Sequence, residues 1–141
     1  MVCTFFGHRD CPDSIKPLLL EKIKEQIKQG TFWFYVGNHG IFDALVLSCL
    51  RALKKEYYDI HYAVVLAYLP TNSTDYLPGE TVFPEGIEHA PKRFAIDFRN
   101  RWMVNRADTV ISYTTHSWGG TAKYVKRAKN KGATIINLAN T

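Results

Sequence analysis

Apolar positions along the chain follow two periods, and their alternation predicts the elements. "VCTFF" is a short β-rich run ending at Gly7, the pattern of a parallel strand buried on both faces. After it, Ile15, Leu19, Ile23 and Ile27 recur at four-residue spacing. That spacing predicts a helix capped by Ser14, with Pro17 in a first turn where a missing N–H costs nothing and Gly30 as the stop. "TFWFYV", residues 31–36, is aromatic and β-branched and runs through "GNHG" into the apolar-periodic "IFDALVLSCLRALKKEY", a second strand, glycine turn and helix. "IHYAVVLAYLP", 60–70, reads as a third strand that Pro70 ends.

Residues 71–92 carry prolines and glycines without a period and read as one long connection, either a binding loop or a mobile insertion. "RFAIDFRNRWMVNRA", 93–107, predicts a helix with Phe94, Phe98 and Met103 or Trp102 facing inward and its arginines spread around it. "DTVISYT", "GGTAKYVKRAKNK" and "ATIINLA" complete the series as strand, helix and strand. Strands alternating with helices predict one α/β domain over 1–141: a Rossmann-like, three-layer fold with a mostly parallel five-stranded sheet in the order 3-2-1-4-5. That order opens a crevice between the loops "GHRD" and "THSWGGT", where the chain reverses its direction across the sheet.

Composition adds limits. Hydrophobic residues are 46% and charged residues 22% of 141 residues, which excludes extensive disorder. The net charge of +5 fits either acidic ligands or simple solubility. "MVCTFFGHRD" holds no basic leader and no run is long enough to span a bilayer, so a cytoplasmic protein without membrane contact is expected. Cys3, Cys11 and Cys49 form no CxxC pair, so free thiols are expected, with Cys11 the one candidate for reactivity. His8, His39, His61, His89 and His116 show no ligand spacing, so neither a metal nor a cofactor is expected. GxSxG and GxxxxGK[ST] are absent, which removes the commonest hydrolase and P-loop readings.

The candidate chemistry lies in the loops at the strand ends. Gly119-Gly120-Thr121 opens a helix whose free N–H groups suit an anion, with Ser117 or Thr121 as hydroxyl donors; alternatively it is only a tight turn capped by Thr121. In "GHRD", Gly7 offers close approach, His8 a donor or proton carrier, and Arg9 a fork for phosphate or carboxylate, unless Arg9 merely pairs with Asp10 or Asp13. In "GNHGIFD", Gly37 and Gly40 bracket Asn38 and His39. Asp43 follows in the first helical turn, either as a dipole-favoured acid or as a partner for ribose hydroxyls that Asn38 too could orient. Trp118 is an aromatic that could cover a base. The arginines of 93–107 invite a nucleic-acid reading, but helical spacing spreads Arg93, Arg99, Arg101 and Arg106, and a solvated face is the simpler account.

Together, "FFGHRDCP", "FYVGNHGIFDALV", "VVLAYLP", "PEGIEHAPKRFAIDFRNRWMV" and "SWGGTAKYVKRAKNKGATIINLA" resemble the DUF1273, or YpsA-like, proteins of the SLOG (SMF/DprA–LOG) superfamily over nearly the whole chain. The resemblance implies a Rossmann-like fold and a pocket for a nucleotide or nucleotide-derived ligand. Its matching positions are Gly7, His8, Arg9, Gly37, Asp43, Asn100, Arg101, Ser117, Gly119, Gly120 and Thr121. LOG enzymes of that superfamily cleave the N-glycosidic bond of nucleoside monophosphates and carry PGGxGTxxE. Here "SWGGTAKYV" lacks the proline and puts Tyr124 in place of the glutamate, which weighs against hydrolysis. The expectation is therefore a protein that senses or sequesters a phosphorylated nucleotide-like molecule. A LOG-like N-glycosidase, with Asp43 as its best catalytic candidate, Asp97 behind it and Asp108 disfavoured because it precedes its strand at the end away from the pocket, is the alternative. DprA-like binding of single-stranded nucleic acid is a second alternative, and a homo-oligomer is left open.

Overall fold

The computed structural model describes residues 1–70 and 72–140. Thr71, the first residue of the expected connection, and Thr141, the last of the expected domain, lie outside the described residues. Six parallel strands form one sheet: β1 (Val2–Gly7), β2 (Trp33–Val36), β3 (His61–Val65), β4 (Thr81–Val82), β5 (Thr109–Tyr113) and β6 (Thr134–Asn137), in the order β4-β3-β2-β1-β5-β6. Helices α1 (Lys16–Lys28) and α2 (Gly40–Glu56) cover one face, while α3 (Ala95–Arg106) and α4 (Gly120–Asn130) cover the other. The expected order stands, extended at one edge by β4, which lies inside the stretch read as a structureless connection. Among the described residues no helix is long and apolar enough to cross a membrane.

Alternation along β1 divides the core. Cys3 and Phe5 pack with Leu19, Ile23, Val46 and Leu50 of the α1/α2 layer, whereas Phe6 packs with Met103, Val104, Tyr124 and Ala128 of the α3/α4 layer. Both faces of β1 and β5 are buried over most of their length, as continuous apolar runs in a parallel sheet require. Residues 72–82 are strapped down through Glu80, which is 4% exposed. Its carboxylate accepts from Arg51 Nε (2.9 Å), Arg51 Nη2 (2.5 Å), Tyr62 Oη (2.6 Å) and the Leu77 amide (3.1 Å). A buried carboxylate with every lone-pair direction engaged holds a two-residue edge strand that has little burial of its own.

Some local expectations are corrected. Ser14 does not cap α1: Asp13–Ile15 form a 3-10 turn, and Ile15 occupies the cap position without a side-chain bond. Phe94 does not face inward; it is 49% exposed and carries the Arg93 guanidinium on its ring. Cys11 is buried, and burial together with Asp10, Asp43 and Asp13 pushes its thiol up to about 11, the opposite of an activated cysteine. Arg99, read as part of a solvated helix, is 2% exposed.

Gly7 also has a different role from close approach to a ligand. A Cβ built there would sit 2.2 Å from the Phe42 ring, so this glycine lets α2 lie directly on the end of β1. Gly7→Ala is expected to cost about 3 kcal/mol or more, the upper end of overpacking penalties, read as a lowered denaturant midpoint with an unchanged slope; a midpoint equal to the wild type's would refute this packing role.

Candidate functional site

At the carboxyl end of the sheet, beside the β1/β5 pair where the strand order reverses, a cavity of about 270 Å³ opens. This is close to the lower bound of roughly 300 Å³ for small-molecule sites. Gly7, Arg9, Gly37, His39, Asp43, Asn100, Gly120 and Thr121 line it, together with Phe5, Phe6, Ile96, Arg99, Met103 and Tyr124. Arg9 and Gly120 thus share one hollow, as the strand order predicted. Asn38 lies just behind, accepting from Arg99. His8, Ser117, Trp118 and Gly119 belong to the same loops without lining the cavity, and Arg101 lies outside it, ion-paired with Asp97 at 3.7 Å. None of the described residues of 72–92 contributes to the lining.

The three loops interlock through their main chains. The His8 amide donates to Tyr113 O (3.2 Å) and the Ile41 amide to Arg9 O (2.8 Å). Thr121 Oγ1 donates to Gly7 O (3.2 Å), so its hydroxyl ties α4 to β1 and does not cap its own helix. Asn137 fixes the 114–119 loop from β6, accepting from the Thr114 amide (3.1 Å) and donating to Thr114 O (3.0 Å). At Gly40, φ is +89° and a Cβ would lie 2.5 Å from Arg9 Cα, so only glycine lets the "GHRD" loop cross the start of α2. Gly119, at φ +93°, makes the corresponding turn into α4 and offers no side-chain cap, so the first amides of α4 keep no side-chain acceptor. Around Gly120 a Cβ would meet nothing within 4 Å.

The least expected component is Arg99. Its Nε donates to Asn100 Oδ1 (2.6 Å), Nη1 to Asn38 Oδ1 (3.2 Å) and to Val65 O (2.9 Å), and Nη2 to His39 Nδ1 (3.1 Å). Every one of these acceptors is neutral. A guanidinium only donates, so His39 Nδ1 must accept and the ring proton sits on Nε2; burial, Arg99 and Arg9 all lower the His39 pKa, in keeping with a neutral ring. Of five guanidinium hydrogens four are engaged, which leaves one on Nη2. Burial also lowers the Arg99 pKa and nearby Asp43 opposes it, but a guanidinium stays charged at neutral pH. Arg9, exposed at the rim, pairs with neither Asp10 nor Asp13, and its guanidinium has no hydrogen bond or ion pair to another described residue.

Asp43 lies across Gly37 from Arg99. A Cβ at Gly37 would be 3.0 Å from Asp43 Oδ2 and 3.1 Å from Arg99 Nη1, so the missing side chain keeps both groups at the cavity wall. Asp43 Oδ2 accepts from the His39 amide (2.9 Å), an acid of the first turn reaching back to the N-cap. Burial raises its pKa to about 6, against the lowering by this bond, Arg99 and Arg9. Asp97 is engaged elsewhere: it accepts from Tyr124 Oη and faces Lys123 (3.4 Å) and Arg101 (3.7 Å). The Tyr124 bond, then Lys123 and Arg101, outweigh desolvation and hold its carboxyl below the usual range. Asp108 accepts from the Val2 amide (2.8 Å) at the start of β1, the opposite end of the sheet. Among the described residues no cluster suits a metal ion.

No family model matches the chain, and no curated protein matches it in sequence.

Asp43 yields a test of the site's electrostatics. Its pKa is raised on folding, from about 4 when unfolded to about 6. Its contribution is therefore full below about pH 4 and is lost as pH rises through 6. Asp43→Asn keeps the acceptor for the His39 amide and removes the ionisation. The variant should gain on the wild type between about pH 4 and 7, by on the order of 1–3 kcal/mol, in chemical unfolding at a series of pH values; parallel curves would show that Asp43 is not held in its acid form.

Proposed function

We propose that the protein binds a phosphorylated, nucleotide-like small molecule as a sensor or a sequestering protein, with the phosphate held between the start of α4, Arg99 and Arg9. The observation that carries this reading is that every hydrogen-bond acceptor of Arg99 is neutral, while the neighbouring carboxylate, Asp43, stands across Gly37 without a bond to it. A buried cation is expensive unless paired, and its hydrogen-bond partners are two asparagines, a histidine and a backbone carbonyl. An anion in the adjoining cavity would pair with this charge and take the unused Nη2 hydrogen. The open space around Gly120 admits an oxygen close to the α4 amides, and the exposed Arg9 at the rim adds a counter-charge. Asp43 Oδ1, Asn38 and His39 Nε2–H provide the mixed acceptors and donors that sugar hydroxyls need. The same reading follows from the resemblance to SLOG proteins.

One observation favours a second reading, an N-glycosidase acting on a nucleoside monophosphate. Asp43 is the one carboxylate among the described residues that line the cavity, and a pKa of about 6 places it within the working range of a general acid or base. Release of free base from nucleoside monophosphates, abolished in Asp43→Asn, would establish that chemistry.

Calorimetric titration with nucleoside monophosphates tests the binding reading. Gly120→Asp, whose carboxylate enters open space and leaves the fold intact, should abolish binding. Arg99→Met should weaken it about 100-fold, the loss of a charge-assisted contact of roughly 1.5–3 kcal/mol. Undiminished binding by folded Gly120→Asp protein would overturn the assignment.

A further inference from the structure

Beside the cavity, three rings form a stack that the phosphate site does not use. His8 and His116 lie parallel at 4.2 Å between centroids and 19° between planes, and His116 and Trp118 at 3.8 Å and 13°. The inner end is closed by Tyr113, set edge-on to His8 at 88°. The outer end is Trp118, which is 70% exposed. Both imidazoles are locked: the Thr115 amide donates to His8 Nε2 (3.0 Å), and His116 Nδ1 donates to Trp118 O (2.8 Å). Trp118 is thus a large aromatic fixed through its ring and its main chain, with one face covered and the other in solvent. Leaving so much apolar surface exposed on a rigid support forgoes burial, and a planar ligand group would recover it.

We infer that this stack is a base platform, on which the open face of Trp118 receives the purine of a nucleoside 5′-monophosphate while its phosphoribose occupies the cavity. The inference rests on the phosphate reading above. His8 lies between Gly7 and Arg9, and Trp118 stands two residues before Gly120; all three of those neighbours line the cavity, so the stack borders its mouth. A hollow of about 270 Å³ is filled by a sugar and its phosphate, and the base must then leave through that mouth. The open indole face offers no hydrogen bonds, so recognition follows the area of ring overlap, purine above pyrimidine.

Titration of the wild type with AMP, UMP and ribose 5-phosphate, repeated with Trp118→Ala and Trp118→Phe, decides the matter. AMP should bind the wild type about ten-fold more tightly than ribose 5-phosphate, with UMP between them. Trp118→Ala should bring AMP to the level of ribose 5-phosphate and leave ribose 5-phosphate unaffected, and Trp118→Phe should retain most of the gain. His116→Ala, which removes the ring beneath Trp118, should mimic Trp118→Ala in part. Equal wild-type affinities for AMP and ribose 5-phosphate, or an unchanged AMP affinity in Trp118→Ala, would overturn the platform and leave the phosphate pocket standing. Binding of none of the three compounds would overturn the pocket, and the platform with it.

Discussion

The architecture of the sheet's carboxyl edge depends on one buried cation. The Arg99 guanidinium gathers Asn100 from its own helix, Asn38 and His39 from the β2–α2 turn, and Val65 O at the end of β3. Four acceptors from three segments converge on a planar fork that cannot reverse its polarity. This fixes the "GNHG" loop against α3 and settles the tautomer of His39. It also gives the cavity its electrostatic sign. Replacing such a charge by a well-packed apolar side chain would often be neutral or favourable for stability alone, so its presence without a carboxylate among its bonds is the feature that the proposed anionic ligand would account for.

Parallel topology brings the remaining parts to the same place. Because β1 and β5 are paired through five residues, the loops that follow them leave the sheet side by side, and each continues towards its own layer of helices. Glycines then decide how closely the loops cross. Gly7 admits Phe42, Gly40 admits Arg9, and Gly37 leaves room for Asp43 and Arg99 together. Among the glycines of these loops, Gly120 alone has free space where its side chain would be, so its smallness is not required by packing.

Much of this was legible in the chain. The continuous apolar runs showed the parallel strands, their order placed the crevice, and "GHRD" and "SWGGT" marked two of its walls. Other features escaped for definable reasons. A two-residue strand such as Thr81–Val82 is too short to show a period, and its anchor, Glu80, is held by Arg51 and Tyr62 from distant segments. Arg99 escaped because hydropathy assigns arginine to solvent; its burial depends on acceptors 34 to 61 residues away. The only local hint was the asparagine beside it, Asn100, which takes the Nε hydrogen. Ser14 failed as a cap because a 3-10 turn intervenes, and Phe94 failed as a core residue because the helix proper starts one residue later, at Ala95.

The position of Tyr124 bears on whether the cavity does chemistry. One turn into α4, the Tyr124 phenol stacks on Phe6 and donates its hydroxyl hydrogen to Asp97 on α3. Burial and Asp97 push the Tyr124 phenol up to about 12, so it stays a donor at neutral pH. The acid it serves faces Lys123 and Arg101 as well. A carboxylate so engaged is a poor proton acceptor, because its charge is already stabilised before any substrate arrives. Catalysis would then fall to Asp43 alone, and Asp43 sits beside the cation that favours an anionic ligand. Protonated, it lowers the repulsion towards a phosphate; ionised, it competes with that phosphate for Arg99. Under the proposed function the arrangement would couple uptake of a proton at Asp43 to uptake of the anion, which would serve pH-dependent binding better than turnover.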